Sequence, residues 1–299
     1  MEMRFLISVK RISILILISL YLFSCNTVGP PPLPEYESID ETPAWSPDGK
    51  WIAYHHFNYD PEDTSYSTGL YIIDTCGNNR RLVIAGQAYN PDWSPDGKKI
   101  AFNSGDIFTI SPNGENLTRV TNVGKAFFPS WSPDGEKIAF DTPYQDPRGA
   151  NAIWILDFEN LSLNDISIHG TGEWRDPSWS PEGKYLVHLR FLNGVFGEEI
   201  FIMDASGNNG IQLTNNNNND RDPRWSPDGL TIAWTGDKGI WLMNANGSDQ
   251  RIFIDDYASS PTWSPDSKRI AFQKQNEEGN KIVIWTINID GSALKQITY

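Results

Sequence analysis

Six acidic side chains recur at one place in the sequence: Asp48, Asp96, Asp134, Glu182, Asp228 and Asp266, each fourth in a Trp-Ser-Pro-Asp-Gly stretch or a close variant. A ring of six carboxylates could hold a cation. The local chemistry favours a plainer role. In Ser-Pro-Asp-Gly the proline presets φ, the aspartate bonds to its own backbone, and the glycine takes the left-handed position. Lys50, Lys98, Lys137 and Lys268 stand close by to balance the charge. These acids read as turn residues. Two other pairs, Glu173/Asp176 and Asp220/Asp222, could do acid–base work on a glycoside if the fold set the right separation. The histidines His55, His56, His169 and His188 match no HExxH or HxH pattern. His55 and His56 are neighbours on a strand and point to opposite faces. His188 stands where other copies carry Phe102, Phe140, Trp234 or Phe272, so it reads as a buried, hydrogen-bonded histidine. With only Cys25 and Cys76, no zinc-site spacing occurs, and no G-x-S-x-G or Walker A loop is present. The residues thus point to no catalytic group, metal or cofactor, and the chain reads as a non-enzyme.

The elements that hold these residues follow from composition. The 299 residues carry 24 Lys+Arg against 38 Asp+Glu, a formal charge of −14. A nucleic-acid binder needs a basic stripe to replace counterions, so that class is excluded. Twelve Trp, 24 Gly and 20 Pro suggest short strands joined by tight turns.

The N-terminus reads as an export signal. Arg4, Lys10 and Arg11 precede an apolar run from Ile12 to Phe23. As a helix that run spans about 18 Å, short of a bilayer core of roughly 30 Å. It ends in Leu22-Phe23-Ser24-Cys25, which resembles the lipobox of bacterial lipoproteins. That resemblance implies cleavage before Cys25 and its lipidation. Asn26, in place of a retention aspartate, favours the outer membrane. Residues 25–40 include GPPPLPEYE and read as a proline-rich tether. The expected organisation is a lipoprotein signal over 1–24, a tether over 25–40 and one folded unit over 41–299.

That unit is a repeat. Trp45, Trp93, Trp131, Trp179, Trp225 and Trp263 are 48, 38, 48, 46 and 38 residues apart, and a proline stands two residues before each. After every turn comes an apolar strand (WIAY, KIAF, KIAF, YLVH, TIAW, RIAF), then a variable loop and a second apolar strand such as LYIID or IFIMD. Several copies close with a short outer strand of the RVT or QLT kind. Four short strands, six times over, predict an all-β, six-bladed β-propeller with four antiparallel strands per blade. Each blade is expected to be contiguous in sequence, with no strand shared between the chain's ends. Ser267, in the glycine position of the last copy, is expected to cost about 1 kcal/mol.

The six copies of this motif resemble the WD40-like propeller repeats of the TolB family, periplasmic components of the Tol–Pal system. The resemblance covers roughly residues 40–299. It implies a propeller that binds a protein or peptide in the cell envelope. Family members carry an α/β domain ahead of the propeller, whereas here a short tether precedes the first copy.

Alternation of strands puts the WSPDG and Gly/Asn turns on one regular face and the variable loops on the other, where binding residues concentrate. The mouth of the channel there is expected to be lined by residues before each repeated proline. They offer an aromatic sector (Tyr89, Phe127, Phe128) and a charged one (Arg175, Asp176, Arg221, Asp222, with Trp174 beside it). Surplus acid is expected on loops such as 60–63, 198–199, 255–256 and 277–278, steering a partner with a basic surface. The rival reading is an envelope carbohydrate-binding protein, lyase or glycosidase working through funnel carboxylates.

Overall fold

The turn residues act as their chemistry dictates. In the five copies with Asp, the Ser hydroxyl donates to the Asp carboxylate at 2.5–2.7 Å. In all six, the same Ser oxygen accepts the backbone N–H five residues on at 2.9–3.0 Å. The Ser bond comes first among the causes that hold the Asp48 and Asp266 carboxyls below their ordinary range. Lys50 and Lys98 sit 3.3 Å and 3.2 Å from Asp48 and Asp96. Lys137 departs from the expected pairing: it reaches Asp157 across the next hairpin at 3.7 Å instead of Asp134.

These turns also touch one another. A methyl group added at Gly97, Gly183 or Gly229 would lie 3.3 Å from the proline ring of the preceding turn, Pro47, Pro133 or Pro181. Gly135 faces Pro95 in the same way, and Gly49 faces Pro265, which joins the first turn to the last. At the sixth turn Ser267 keeps the left-handed φ of 57°, and its hydroxyl accepts the Asp228 N–H of the preceding turn at 3.0 Å. That contact offsets the cost expected for a side chain there.

This computed structural model describes residues 37–59, 66–144, 150–167, 172–191, 197–216 and 218–299. The apolar run and residues 25–36 of the expected tether, Cys25 among them, lie outside them. Ser38, Ile39 and Asp40, by contrast, read as tether from the sequence, already belong to the first strand and pair with Asn58, Phe57 and His56. The described residues hold no helix, and their 24 strands fall into six consecutive sets of four. Four sets form separate antiparallel sheets. The inner strands are Ser38–Trp45, Tyr89–Trp93, Phe127–Trp131, Glu173–Trp179, Arg221–Trp225 and Ser259–Trp263. The second strand of each set carries the IAF-type run, buried between two neighbouring blades: Ile52, Ala53 and Tyr54 are all fully buried, as are Ile138, Ala139 and Phe140. Burial on both faces explains why these strands read as continuous apolar runs and not as alternating ones. The cores lie between blades, each roofed by a repeat tryptophan: Trp93 packs with Ala53, Leu70 and Ile100, and Trp263 with Ala233, Leu242 and Phe272.

The ends of the chain meet differently from the expectation. The first and last sets form one eight-stranded sheet, because Ser38 and Ile39 pair in parallel with Lys281 and Ile282 of the strand Lys281–Asn288. The last outer strand, Lys295–Gln296, covers only Trp285 and Thr286 of that strand, leaving its other end open to the incoming chain. Glu37 N–H adds a bond to Asn280 C=O at 3.0 Å. The ring is thus closed by shared hydrogen bonds as well as by packing.

Candidate functional site

The inner strands deliver the residues around the axis. In all six, the residue before the proline has a left-handed backbone although none is glycine: Thr42 51°, Asn90 51°, Phe128 50°, Asp176 48°, Asp222 50° and Ser260 53°. The strand bulges there. A proline is tolerated because at this point the inner strand has no second ladder to serve; even in the first strand the pairing with the last blade stops at Ile39. Each strained position costs about 1–2 kcal/mol, which neighbouring blades help to offset. Thr42 N–H donates to Gln273 Oε1 at 2.8 Å, Asp176 N–H to Asp141 Oδ1 at 3.2 Å, and Ser260 N–H to Thr235 Oγ1 at 3.0 Å. Gln273, Asp141 and Thr235 all follow the IAF-type run directly. Five of the six residues at that place are polar, a signal that sequence reading could have used.

The bulge aims the residue after each proline at the axis: Ala44, Asp92, Ser130, Ser178, Arg224 and Thr262 line a cavity of about 80 Å³. No two adjacent copies agree in charge and size there except Ser130 and Ser178. Arg224 donates through Nη1 to Asp176 Oδ1 and to the Pro223 carbonyl, both at 2.8 Å. Burial alone would lower its pKa, but Asp176, Asp222 and Asp92 more than offset that. Asp92 Oδ2 accepts the Trp131 N–H of the next blade at 2.7 Å, and burial pushes its carboxyl up to about 6. Burial likewise raises Asp176 to about 7 and Asp141 to about 8, the latter with added repulsion from Asp176. The axis is therefore a set of aspartates from several blades gathered on one arginine. Sequence reading missed Arg224 and Asp92, because the position after the proline has no common residue type.

Of the mouth residues read from the sequence, Tyr89, Phe127 and Phe128 are half-buried, and Phe128 reaches the axial cavity. Arg175 pairs with Glu173 of its own strand and Arg221 with Glu198 of the neighbouring blade. Asp222 accepts the Thr235 hydroxyl at 2.8 Å. Trp174 and Asp176 are buried. Trp174 stacks on His188 at 4.7 Å, and the Arg190 guanidinium lies 4.5 Å from its ring. His188 is fully buried, its Nδ1 2.9 Å from the Leu189 carbonyl, and burial lowers its pKa to about 4.

The expected acidic rim needs one correction. Glu198 and Glu199 are 7% and 1% exposed, inside the strand Glu198–Asp204. Glu199 accepts the Thr214 hydroxyl at 2.7 Å and the Asn216 N–H at 2.9 Å. Their charges organise the blade and do not face a partner. Asp256 is paired with Lys274, and residues 60–63 lie outside the described set. The alternative acid pairs are also engaged. Glu173 holds Arg175, while Asp220 accepts Trp234 Nε1–H at 3.0 Å and Asn216 Nδ2–H at 2.8 Å. Among the described residues, no group of three or more His, Cys, Asp or Glu is placed to hold a metal ion.

A family model described as "TolB beta propeller domain" matches residues 30–198 and 171–299. A TolB homologue of Chlorobaculum tepidum is 30% identical over 111 residues, 36% of this chain and 25% of that protein. A Bacillus subtilis protein named as an uncharacterized peptidase, YuxL, is 28% identical over 118 residues, 36% of this chain and 18% of that one. The chain thus spans a quarter or less of the length of these two relatives. Among solved structures, TolB from Acinetobacter baumannii superposes with a TM-score of 0.63 at 21% identity, covering 75% of this chain and 58% of that one. That likeness is one of fold.

Proposed function

The chain belongs to the TolB beta propeller domain family, and from that premise we propose that it is a six-bladed, non-enzymatic scaffold that binds a protein or peptide in the cell envelope. The partner docks on the variable-loop face, at the mouth of the channel. The observation that carries this reading is how the two depths of the axis are used. Inside, the aspartates and Arg224 are spent on one another and on neighbouring backbone, around a space of about 80 Å³. Around it, half-buried Tyr89 and Phe127, with Phe128 at the edge of that space, offer aromatic surface of the kind that dominates binding hot spots. The engaged state of Glu173, Asp220 and Asp222 weighs against the lyase or glycosidase alternative, which needs two carboxyls free to reach a substrate.

Export and anchoring complete the proposal. Cleavage before Cys25 and lipidation of that thiol would tether the propeller through the proline-rich stretch, with Asn26 directing it to the outer membrane. Replacing Cys25 with Ala should then move the protein from the membrane fraction to the soluble one. Unchanged membrane association would overturn the anchor. For the binding role, the intact protein is used to capture envelope proteins, and one captured partner is re-tested with purified components. Its association should slow as salt rises, and Phe128→Ala should weaken it while thermal stability holds. A purified partner that ignores both changes would remove the mouth from the reading.

A further inference from the structure

The mouth holds one acid whose situation differs from the paired arginines opposite. Glu41 lies in the first inner strand, immediately before left-handed Thr42. Its side chain is 17% exposed, and Oε1 sits 3.2 Å from His55 Nδ1. Among the described residues it pairs with no lysine or arginine. Aromatic rings stand around it. The His55 ring lies 4.3 Å from Tyr89 of the second blade, and Phe57 lies 4.3 Å from Tyr59. The His55 ring also lies 6.5 Å from Phe57, so the contacts run unbroken from Glu41 through His55 to Tyr89 on one side and through Phe57 to Tyr59 on the other. Burial first and the Glu41 charge second raise both phenols above their ordinary range. The rings in each pair are tilted by 48° and 45° to one another.

We propose that Glu41, Tyr59 and Tyr89, backed by Phe57 and His55, form a seat for the ammonium or guanidinium group of a lysine or arginine side chain on the partner protein. A cation over aromatic faces is attracted by their quadrupoles, and a partly desolvated carboxylate beside them adds a directed charge. Arg175 and Arg221 are poor anchors by the same standard, because Glu173 and Glu198 already neutralise them. A chain of net charge −14 suits a basic partner. The seat rests on the reading that the partner is a protein, and it adds which part of that protein the mouth recognises.

The test separates the two. The full-length mature protein, labelled with ¹³C in its tyrosine rings, is titrated with N-acetyl-lysine methylamide, its arginine counterpart, and the side-chain-acetylated lysine analogue, which is neutral. The Tyr59 and Tyr89 signals, assigned with Tyr→Phe variants, should shift saturably with both cations at millimolar concentration and not with the neutral analogue. Glu41→Gln should weaken the cations at least tenfold. Tyr89→Leu, which leaves the Glu41–His55 contact in place, should weaken them at least threefold. No saturable shift, or equal shifts in the Glu41→Gln protein, overturns the seat. If wild type and Glu41→Gln bind a purified protein partner equally, the seat falls while the protein-binding reading stands.

Discussion

The six inner strands have two ends, and the ends obey different rules. At the regular end every strand runs into nearly the same turn, and each turn leans on the one before, five through a Gly–Pro contact and the sixth through the Ser267 hydroxyl. At the axial end the backbone repeats just as strictly, with six left-handed residues before six prolines, but the side chains do not. Ala44, Asp92, Ser130, Ser178, Arg224 and Thr262 occupy one position six times. A repeat protein thus carries its own internal comparison. What recurs in all copies builds the ring, and what changes at a constant backbone position is not needed to build it.

The largest test of that contrast is Arg224→Met. It leaves Asp92, Asp176 and Asp222 without their shared cation, and removing one partner of a part-buried charge cluster should cost about 1–3 kcal/mol. The loss should be greater at pH 8 than at pH 5.5, where Asp176 and Asp92 can take up protons. Urea denaturation at the two pH values measures it, and a loss identical at both would break the assignment.

Next comes Asp141→Asn. The wild-type carboxyl is pushed up to about 8, against 3.8 for an ordinary aspartate. Between those values the unfolded chain has lost a proton that the folded chain keeps, so rising pH disfavours the fold across that window. Below about pH 4 both states are protonated, and the handicap vanishes. Asparagine keeps the acceptor for Asp176 N–H and has no proton to lose. From pH 5 to pH 8.5 the variant should therefore lose up to about 4 kcal/mol less stability than wild type.

At the regular end, Gly97→Ala forces a Cβ into a left-handed residue, 3.3 Å from Pro47, and should cost about 1–2 kcal/mol in thermal unfolding. Ser267→Gly sharpens the same point. It relieves the backbone but deletes the bond to Asp228 N–H, so the net change should stay within about 0.5 kcal/mol. Smallest of all is Arg175→Ala. Its ion pair with Glu173 is about one-third exposed on both sides, and stability should move by less than about 0.5 kcal/mol.

Much of the fold was legible because it was written six times. The turn chemistry, the strand order and the apolar runs after each turn all recur, and six repetitions make a pattern out of features that are weak singly. The axial site was not legible for the opposite reason: Arg224 and Asp92 share their backbone position with Ala44 and Ser130, so no residue type marks it. Glu198 and Glu199 misled because paired acids suggest a surface, whereas here each is neutralised or capped inside a strand. The pairing of Ser38 and Ile39 with the last blade escaped because two residues of parallel ladder have no sequence period.

That short ladder has a mechanical meaning. The chain enters the ring at Glu37, where the strand Ser38–Trp45 is bonded on one side to Trp51–Asn58 and on the other to Lys281–Asn288. A pull on the entering chain runs along that strand, so both ladders are loaded together in shear and not peeled apart one bond at a time. The load passes at once into the first and last blades, on either side of the seam where a ring would otherwise split. Tension applied at this point draws on the same bonds that keep the circle shut.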